Sequence, residues 1–244
     1  MRRREERALK RKDEELFNNS TDKRYPKWRK GWPTLPAAPI ETQLDGAENL
    51  VPDRVDRIKG VREILKNFSI EFKKIFIAFR VPKDRTIKRK EDYLTLVITL
   101  DMIPQSHMLD RPLYAVRNRL RNHKHTFRIQ IEFVDFRAER QHGLKTFEFR
   151  PLDISIHKAW IEHGRNIAPQ FLEGQEWLKL ELANRGLDEK DAQLTILITS
   201  PTAGEDVWWR IVLPDIRAYI KKKGIPFQVE LVYRKSVSHI KGQL

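Results

Sequence analysis

Two stretches of this chain return, nearly unchanged, roughly a hundred residues later, and a chain that repeats its strands is constrained to fold as two related halves. Tyr93-Leu-Thr-Leu-Val-Ile-Thr-Leu100 recurs as Gln193-Leu-Thr-Ile-Leu-Ile-Thr-Ser200, and Ile129-Gln-Ile-Glu-Phe-Val134 recurs as Phe227-Gln-Val-Glu-Leu-Val232. Four of eight positions are identical in the first pair and three of six in the second, and most of the other changes exchange one apolar residue for another. In each copy the two strands are separated by a connection and a helical segment, a dozen or more residues in all, which is the spacing of a crossover between parallel neighbours. The nearly continuous apolar runs Leu94–Ile98 and Leu194–Ile198 suit strands covered on both faces.

Periodicity fills in the elements around these strands. Val55, Ile58, Val61, Ile64, Leu65 and Phe68 recur at helical spacing and predict a helix over residues 54–68. The period then falls to two: Ile75, Ile77, Phe79 and Val81 alternate with Phe76, Ala78 and Arg80 in a strand that ends at Pro82 and forms a hairpin with residues 93–100. Pro112 suits the first turn of a helix reaching Asn122, with Leu113, Val116 and Leu120 on its buried stripe. A strand over 127–136 follows, and Gln141-His-Gly143 reads as a turn into a strand over 146–150, a second hairpin. Ahead of the second copy, Phe171, Leu178 and Leu182 predict a helix from Gln170 to Arg185 stopped by Gly186. After strand 193–200, Trp208, Trp209, Val212, Ile216, Tyr219 and Ile220 line a helix ending at Gly224, which Pro214 either kinks or restarts, and Pro226 opens the last strand. The fold class is α/β or α+β: a mixed sheet built from two related β-α-β halves, with added hairpins and flanking helices. Residues 1–50 form a disordered or extended extension, residues 51–158 the first copy and residues 159–244 the second, packed with the first as one domain.

Charge is divided unevenly between the copies. Residues 1–150 hold 35 Lys and Arg against 22 Asp and Glu, whereas residues 151–244 hold 13 against 12. An excess confined to one part creates a positive field that attracts polyanions. Within that part, the segment from Tyr25 to Pro33 interleaves Lys27, Arg29 and Lys30 with aromatic Trp28 and Trp32, an arm suited to follow a nucleic-acid backbone and stack on bases. Lys83, Arg85, Lys88, Arg89 and Lys90 in the hairpin connection, and Arg117 and Arg121 on the following helix, complete the set of expected nucleic-acid contacts. A solvated, solubilising surface is the competing reading of the same charges.

The chain has no cysteine, which rules out disulfides, thiolate metal sites and cysteine nucleophiles. It contains neither G-x-G-x-x-G, nor a P-loop, nor G-x-S-x-G. His123-Lys-His125 lacks further ligands at a suitable spacing and reads as a solvated helix end; His157 and His163 read as structural. Gln130-x-Glu132 and Gln228-x-Glu230 place an amide and a carboxylate on one strand face in each copy, but the lysine that a metal-dependent nuclease carries two residues beyond is missing. No catalytic residue, metal or cofactor is therefore expected. No apolar run is long enough to cross a bilayer, and the first residues lead into no apolar signal segment, so a soluble intracellular protein without a membrane partner is expected, with nucleus, cytoplasm and mitochondrion undistinguished.

The strand Leu194-Thr-Ile-Leu-Ile-Thr199, then Trp208 and Trp209, a helix containing Ile216 and a strand with Val229-Glu230 together resemble modules of uncharacterised fungal proteins. The likeness covers residues 193–234 and, without the tryptophans, 93–134. It implies no activity. Two functions follow: a non-enzymatic binding or scaffold protein whose basic half holds RNA, DNA or an acidic protein surface, RNA ahead of DNA, and as the alternative a metal-dependent hydrolase or nuclease using Glu132 or Glu230 with a nearby His or Asp.

Overall fold

A computed structural model of the chain describes residues 28–33, 35–51, 53–83, 87–121, 129–147 and 154–235. The chain divides into two compact units, the first made of residues up to 36, 41–81 and 87–140, the second of residues 37–40, 82–86 and 141 onward. The chain has the expected α+β class, with the strands divided into two mixed sheets, one in each unit.

In the first unit the strands are β1 (Arg29–Trp32), β2 (Ile40–Gln43), β3 (Lys74–Pro82), β4 (Leu94–Leu100) and β5 (Gln130–Asp135), arranged β2-β3-β4-β5-β1. Helix α1 (Arg54–Asn67) joins β2 to β3, and α2 (Asp110–Arg121) joins β4 to β5. β3 and β4 form the expected antiparallel hairpin, and β5 lies parallel to β4. Every residue of β4 is buried, as a strand covered on both faces requires. One set of alternating side chains, Leu94, Leu96, Ile98 and Leu100 with Ile75, Ile77, Phe79, Ile131 and Phe133, packs with Val61 and Leu65 of α1 and Leu113, Val116 and Leu120 of α2.

The second unit repeats this plan. Its strands β6 (Lys145–Phe147), β7 (Lys179–Gly186), β8 (Gln193–Ser200) and β9 (Gln228–Tyr233) lie in that order; β6, β7 and β8 are antiparallel neighbours, and β9 is parallel to β8. α3 (Phe136–Gln141), at the end of the first unit, precedes β6, and α4 (Ile154–Ala159) and α5 (Ile167–Phe171) lie between β6 and β7. A π-helical turn, Trp208–Val212, leads into α6 (Leu213–Lys222), which joins β8 to β9. Pro214 sits in the first turn of α6, directly after the π-helical turn, so the helix runs through it with its hydrogen-bond pattern changed just ahead of the proline. The registers match across the copies: Lys74 faces Thr99 as Lys179 faces Thr199, and Thr95 faces Gln130 as Thr195 faces Gln228. The repeating module is thus β-α-β-β-α-β with strands side by side in chain order, longer than the β-α-β unit read from the sequence.

Three sequence expectations differ from the structure. Residues 179–186 form β7, not the second half of a helix; Leu180 and Leu182 alternate along a strand whose backbone is held by β8. The strand after Gly143 is β6, and it pairs with β7 and not with the strand before it. The described part of the N-terminal extension is extended, one of the two alternatives given above, but it is paired and not a free arm: residues 29–32 form β1, antiparallel to β5.

Candidate functional site

Both copies carry the same ion pair. Arg80 near the end of β3 donates from Nε to Glu132 Oε2 (2.8 Å) and from Nη2 to Oε1 (2.9 Å). Arg185 on β7 does the same to Glu230, at 2.8 Å twice. Each arginine also donates from Nη1 to a threonine on the neighbouring outer strand, Thr42 of β2 at 2.6 Å or Thr146 of β6 at 2.9 Å. Arg80 and Glu132 alternate with Phe79, Ile131 and Phe133, so they lie on the sheet face turned away from the helical core. In the first unit Arg29 of β1 adds a further bond, Nε to Glu132 Oε1 at 2.5 Å, and its Nη1 donates to the Pro36 carbonyl at 2.5 Å. Burial alone would raise the pKa of Glu132, but the Arg29 and Arg80 charges outweigh it and hold the carboxyl at about 2. Arg80 is moved the opposite way: burial would lower its pKa, but the Glu132 charge, the hydrogen bonds to Glu132 and the Glu139 charge together raise it.

These contacts bear directly on the carboxylates proposed for metal chemistry. Glu132 is fully buried and both its oxygens accept from arginines, so ligation of a metal would first require breaking charge-assisted bonds. Glu230 is likewise clamped by Arg185. Among the described residues, no three His, Asp or Glu side chains are grouped to hold a metal. No helix of the described residues is long and apolar enough to cross a membrane.

The sequence-derived nucleic-acid contacts fall into separate groups. Trp28, Arg29, Lys30, Trp32 and Arg117 are buried: Lys30 Nζ lies 2.5 Å from Asp110 Oδ1, and the Arg117 guanidinium stacks 4.3 Å above the Trp32 ring. Lys83, Lys88, Arg89 and Lys90 are exposed, with Arg89 paired at 3.9 Å to Asp92 and Lys90 Nζ 5.4 Å from the Phe79 ring centre. Lys27, Arg85 and the side chain of Arg121 lie outside the described residues.

A different group of cations gathers at the opposite end of β4, about 20 Å from the hairpin connection at 3.3 Å per residue. Here the parallel strands β4 and β5 end, the position at which α/β sheets present ligand sites. Asp135 closes β5 and caps α3, accepting from the Arg137 N–H at 2.8 Å. That cap fixes Phe136 as the first helical residue, half-buried, with Arg140 one turn on. The Thr99 carbonyl and hydroxyl at the end of β4 accept from the backbone N–H groups of Lys73 and Lys74, at 2.8 and 3.0 Å. Lys73 Nζ, Lys74 Nζ and the Arg140 guanidinium then surround the Phe136 ring at 5.0, 5.7 and 5.4 Å from its centre. Lys73 pairs with Asp101 at 2.7 Å and Arg137 with Asp135 at 3.0 Å. Among the described residues Lys74 and Arg140 have no acidic partner. The counterparts of Lys73 and Phe136 in the second unit are Leu178 and Arg234, so the cluster belongs to one copy alone. In the sequence, only the Lys73-Lys74 doublet and the Phe-Arg-x-x-Arg run from 136 to 140 announced it, and their meeting depends on a register between strands far apart in the chain.

Comparison with protein-family models, with curated proteins and with solved structures finds no match for this chain.

Proposed function

We propose that the protein is a non-enzymatic binding protein that holds single-stranded RNA through its first unit. The observation that carries the reading is the ring of Lys73, Lys74 and Arg140 about Phe136 at the carboxyl ends of β4 and β5. An aromatic face supplies stacking that tolerates any base, and the cations beside it neutralise the phosphates on either side. The excess positive charge of residues 1–150 adds long-range attraction. Lys88, Arg89 and Lys90, at the far end of the same sheet, extend the basic surface without joining the cluster.

The test is fluorescence anisotropy of the full chain with a labelled oligouridine of about 12 nucleotides. Neutralising three or four phosphates gives a slope of log affinity against log salt of roughly −2 to −3. Replacing both Lys74 and Arg140 by alanine lowers that slope by about 1.4. Phe136→Leu keeps the apolar packing and the slope but removes stacking worth about 1–3 kcal/mol. Affinity that ignores salt, or that is unchanged in all these variants, removes the proposal; preference for an acidic peptide over the oligonucleotide reassigns the surface to a protein partner.

A further inference from the structure

The two copies differ at one edge in a way that says what the second can bind. In the first unit the outer side of β5 is covered by β1: Lys30 faces Phe133, Gly31 faces Glu132, Trp32 faces Ile131, and the Asp135 N–H donates to the Trp28 carbonyl at 2.9 Å. In the second unit the residue matching Asp135 is Tyr233, and its N–H donates to the Ala38 carbonyl at 2.7 Å. Pro39 has no N–H, and the Ile40 N–H donates to the His142 carbonyl at 3.2 Å. Among the described residues no strand continues along β9: of the outward backbone groups of Val229 and Leu231, matching Ile131 and Phe133, the Val229 carbonyl accepts from the exposed Arg217 side chain at a long 3.4 Å, and no strand meets the others. Such an edge is a template for a further strand.

The chemistry of the missing strand is written in β1. Glu132 accepts from Arg80 and Arg29, whereas Glu230, 8% exposed, accepts from Arg185 alone among the described residues. A carboxylate takes about four hydrogen bonds, so Glu230 keeps capacity for a second guanidinium. Gly31 is required opposite Glu132, because a Cβ there would meet the Ile131 carbonyl oxygen and Leu35. We propose that β9 is a strand-addition site for an extended segment of a partner protein, antiparallel to β9, with an Arg-x-Gly sequence whose arginine lies opposite Val232 and reaches Glu230 and whose glycine lies opposite Glu230. Backbone hydrogen bonds to Val229 and Leu231 supply affinity, and the second arginine on Glu230 supplies selectivity. The proposal does not depend on RNA binding.

The probe is a synthetic peptide with the sequence of residues 29–35, which leaves the place opposite Tyr233 to Ala38, added to the full chain and followed by amide hydrogen exchange resolved to single residues. Binding slows exchange at Val229 and Leu231 by about tenfold or more. Two altered peptides avoid any question of folding: replacing the residue equivalent to Arg29 by alanine weakens binding about tenfold or more, as loss of a charge-assisted bond requires, and methylating the backbone nitrogen equivalent to Lys30 abolishes it while keeping the charge. Equal binding by the methylated peptide, or no slowing at the two amides, overturns the proposal. Strong protection of both amides before peptide is added also overturns it, because the edge is then already filled, by a second copy if the protein sediments as a dimer and by another part of the same chain if it sediments as a monomer.

Discussion

Glu132→Gln tests how much the shared ion pair contributes in each copy. The substitution removes one charge and leaves two guanidiniums without it: the side chains of Arg29 and Arg80 are 0% and 2% exposed, so water cannot replace the carboxylate. Removing one partner of a buried pair costs about 3–5 kcal/mol, most of it the desolvation of the charge left behind. Glu230→Gln strands a single arginine whose side chain is 9% exposed, so relaxation toward water limits the loss to about 1–2 kcal/mol. Urea titrations read by hydrogen exchange in β4 and β8 report the units separately. With a urea dependence of about 1–3 kcal/mol per molar, Glu132→Gln lowers the first unit's midpoint by about 2 M, and Glu230→Gln lowers the second unit's by under about 1 M. Replacing Arg29 and Arg80 by methionine and Glu132 by leucine together should recover half or more of the loss, because the penalty lies in stranded charge and not in missing volume. Equal shifts in the two units, or a loss below about 1 kcal/mol for Glu132→Gln, would refute this account.

The same carboxyl sets an acid limit on the first unit. Its pKa is held at about 2 in the fold against 4.5 for the free group, so its contribution is complete above about 4.5 and lost as the pH falls from there toward 2, about 3 kcal/mol in all. Unfolding free energy of the first unit measured across that window should fall in the parent chain and lose this component in Glu132→Gln; an unchanged slope in the variant would contradict it. Two glycines separate tight from slack packing. Gly31→Ala places a Cβ 2.4 Å from the Ile131 carbonyl oxygen, a backbone atom that cannot yield without parting β1 from β5, and should cost about 1–3 kcal/mol by thermal or urea unfolding. Gly60→Ala meets only the end of the exposed Arg119 side chain, and with a helix-propensity gain of about 1 kcal/mol it should leave stability equal or higher.

The strands of both echoes, the β3–β4 hairpin, α1 and α2 were legible because their apolar residues recur at one clear period, fully buried along β4 and set against the core by Val61 and Leu65 of α1 and Leu113, Val116 and Leu120 of α2. β7 was not, because Phe171, Leu178 and Leu182 also fit a helical stripe and Leu180 and Leu182 are only half-buried. The decisive signal was a third echo: Lys74-Ile-Phe-Ile-Ala-Phe-Arg80 and Lys179-Leu-Glu-Leu-Ala-Asn-Arg185 share Lys, Ala and Arg at the same positions, and the first is plainly a strand. The burial of Arg29 and Lys30 had no such local sign. Their acidic partners, Glu132 and Asp110, are 103 and 80 residues away, and a cation is read as a surface group until its partner is known. The cluster about Phe136 was hidden for the same reason: it joins the start of β3, the end of β4 and the first turn of α3.

Because β4 and the end of β8 are buried on both faces, hydrophobic alternation alone specifies their register weakly. A two-residue slide of β3 against β4 would keep apolar side chains on both faces. The Arg–Glu clamp removes that freedom, since it ties the strand on one side of β4 to the strand on the other and holds its bidentate geometry in one register only. A one-residue slip is worse, because it turns Arg80 or Glu132 into the helical core with no partner there. The matching threonines of β2 and β6 extend the constraint to a fourth strand. Two copies that have come to differ in charge, in aromatic content and at their edges retain Arg, Glu and Thr at equivalent positions, which separates what sets the alignment of the sheet from what each unit presents to a ligand. The ends of the strands, where the clamp exerts no hold, are where Phe136 and its cations stand in one copy and Trp177 and Leu178 in the other.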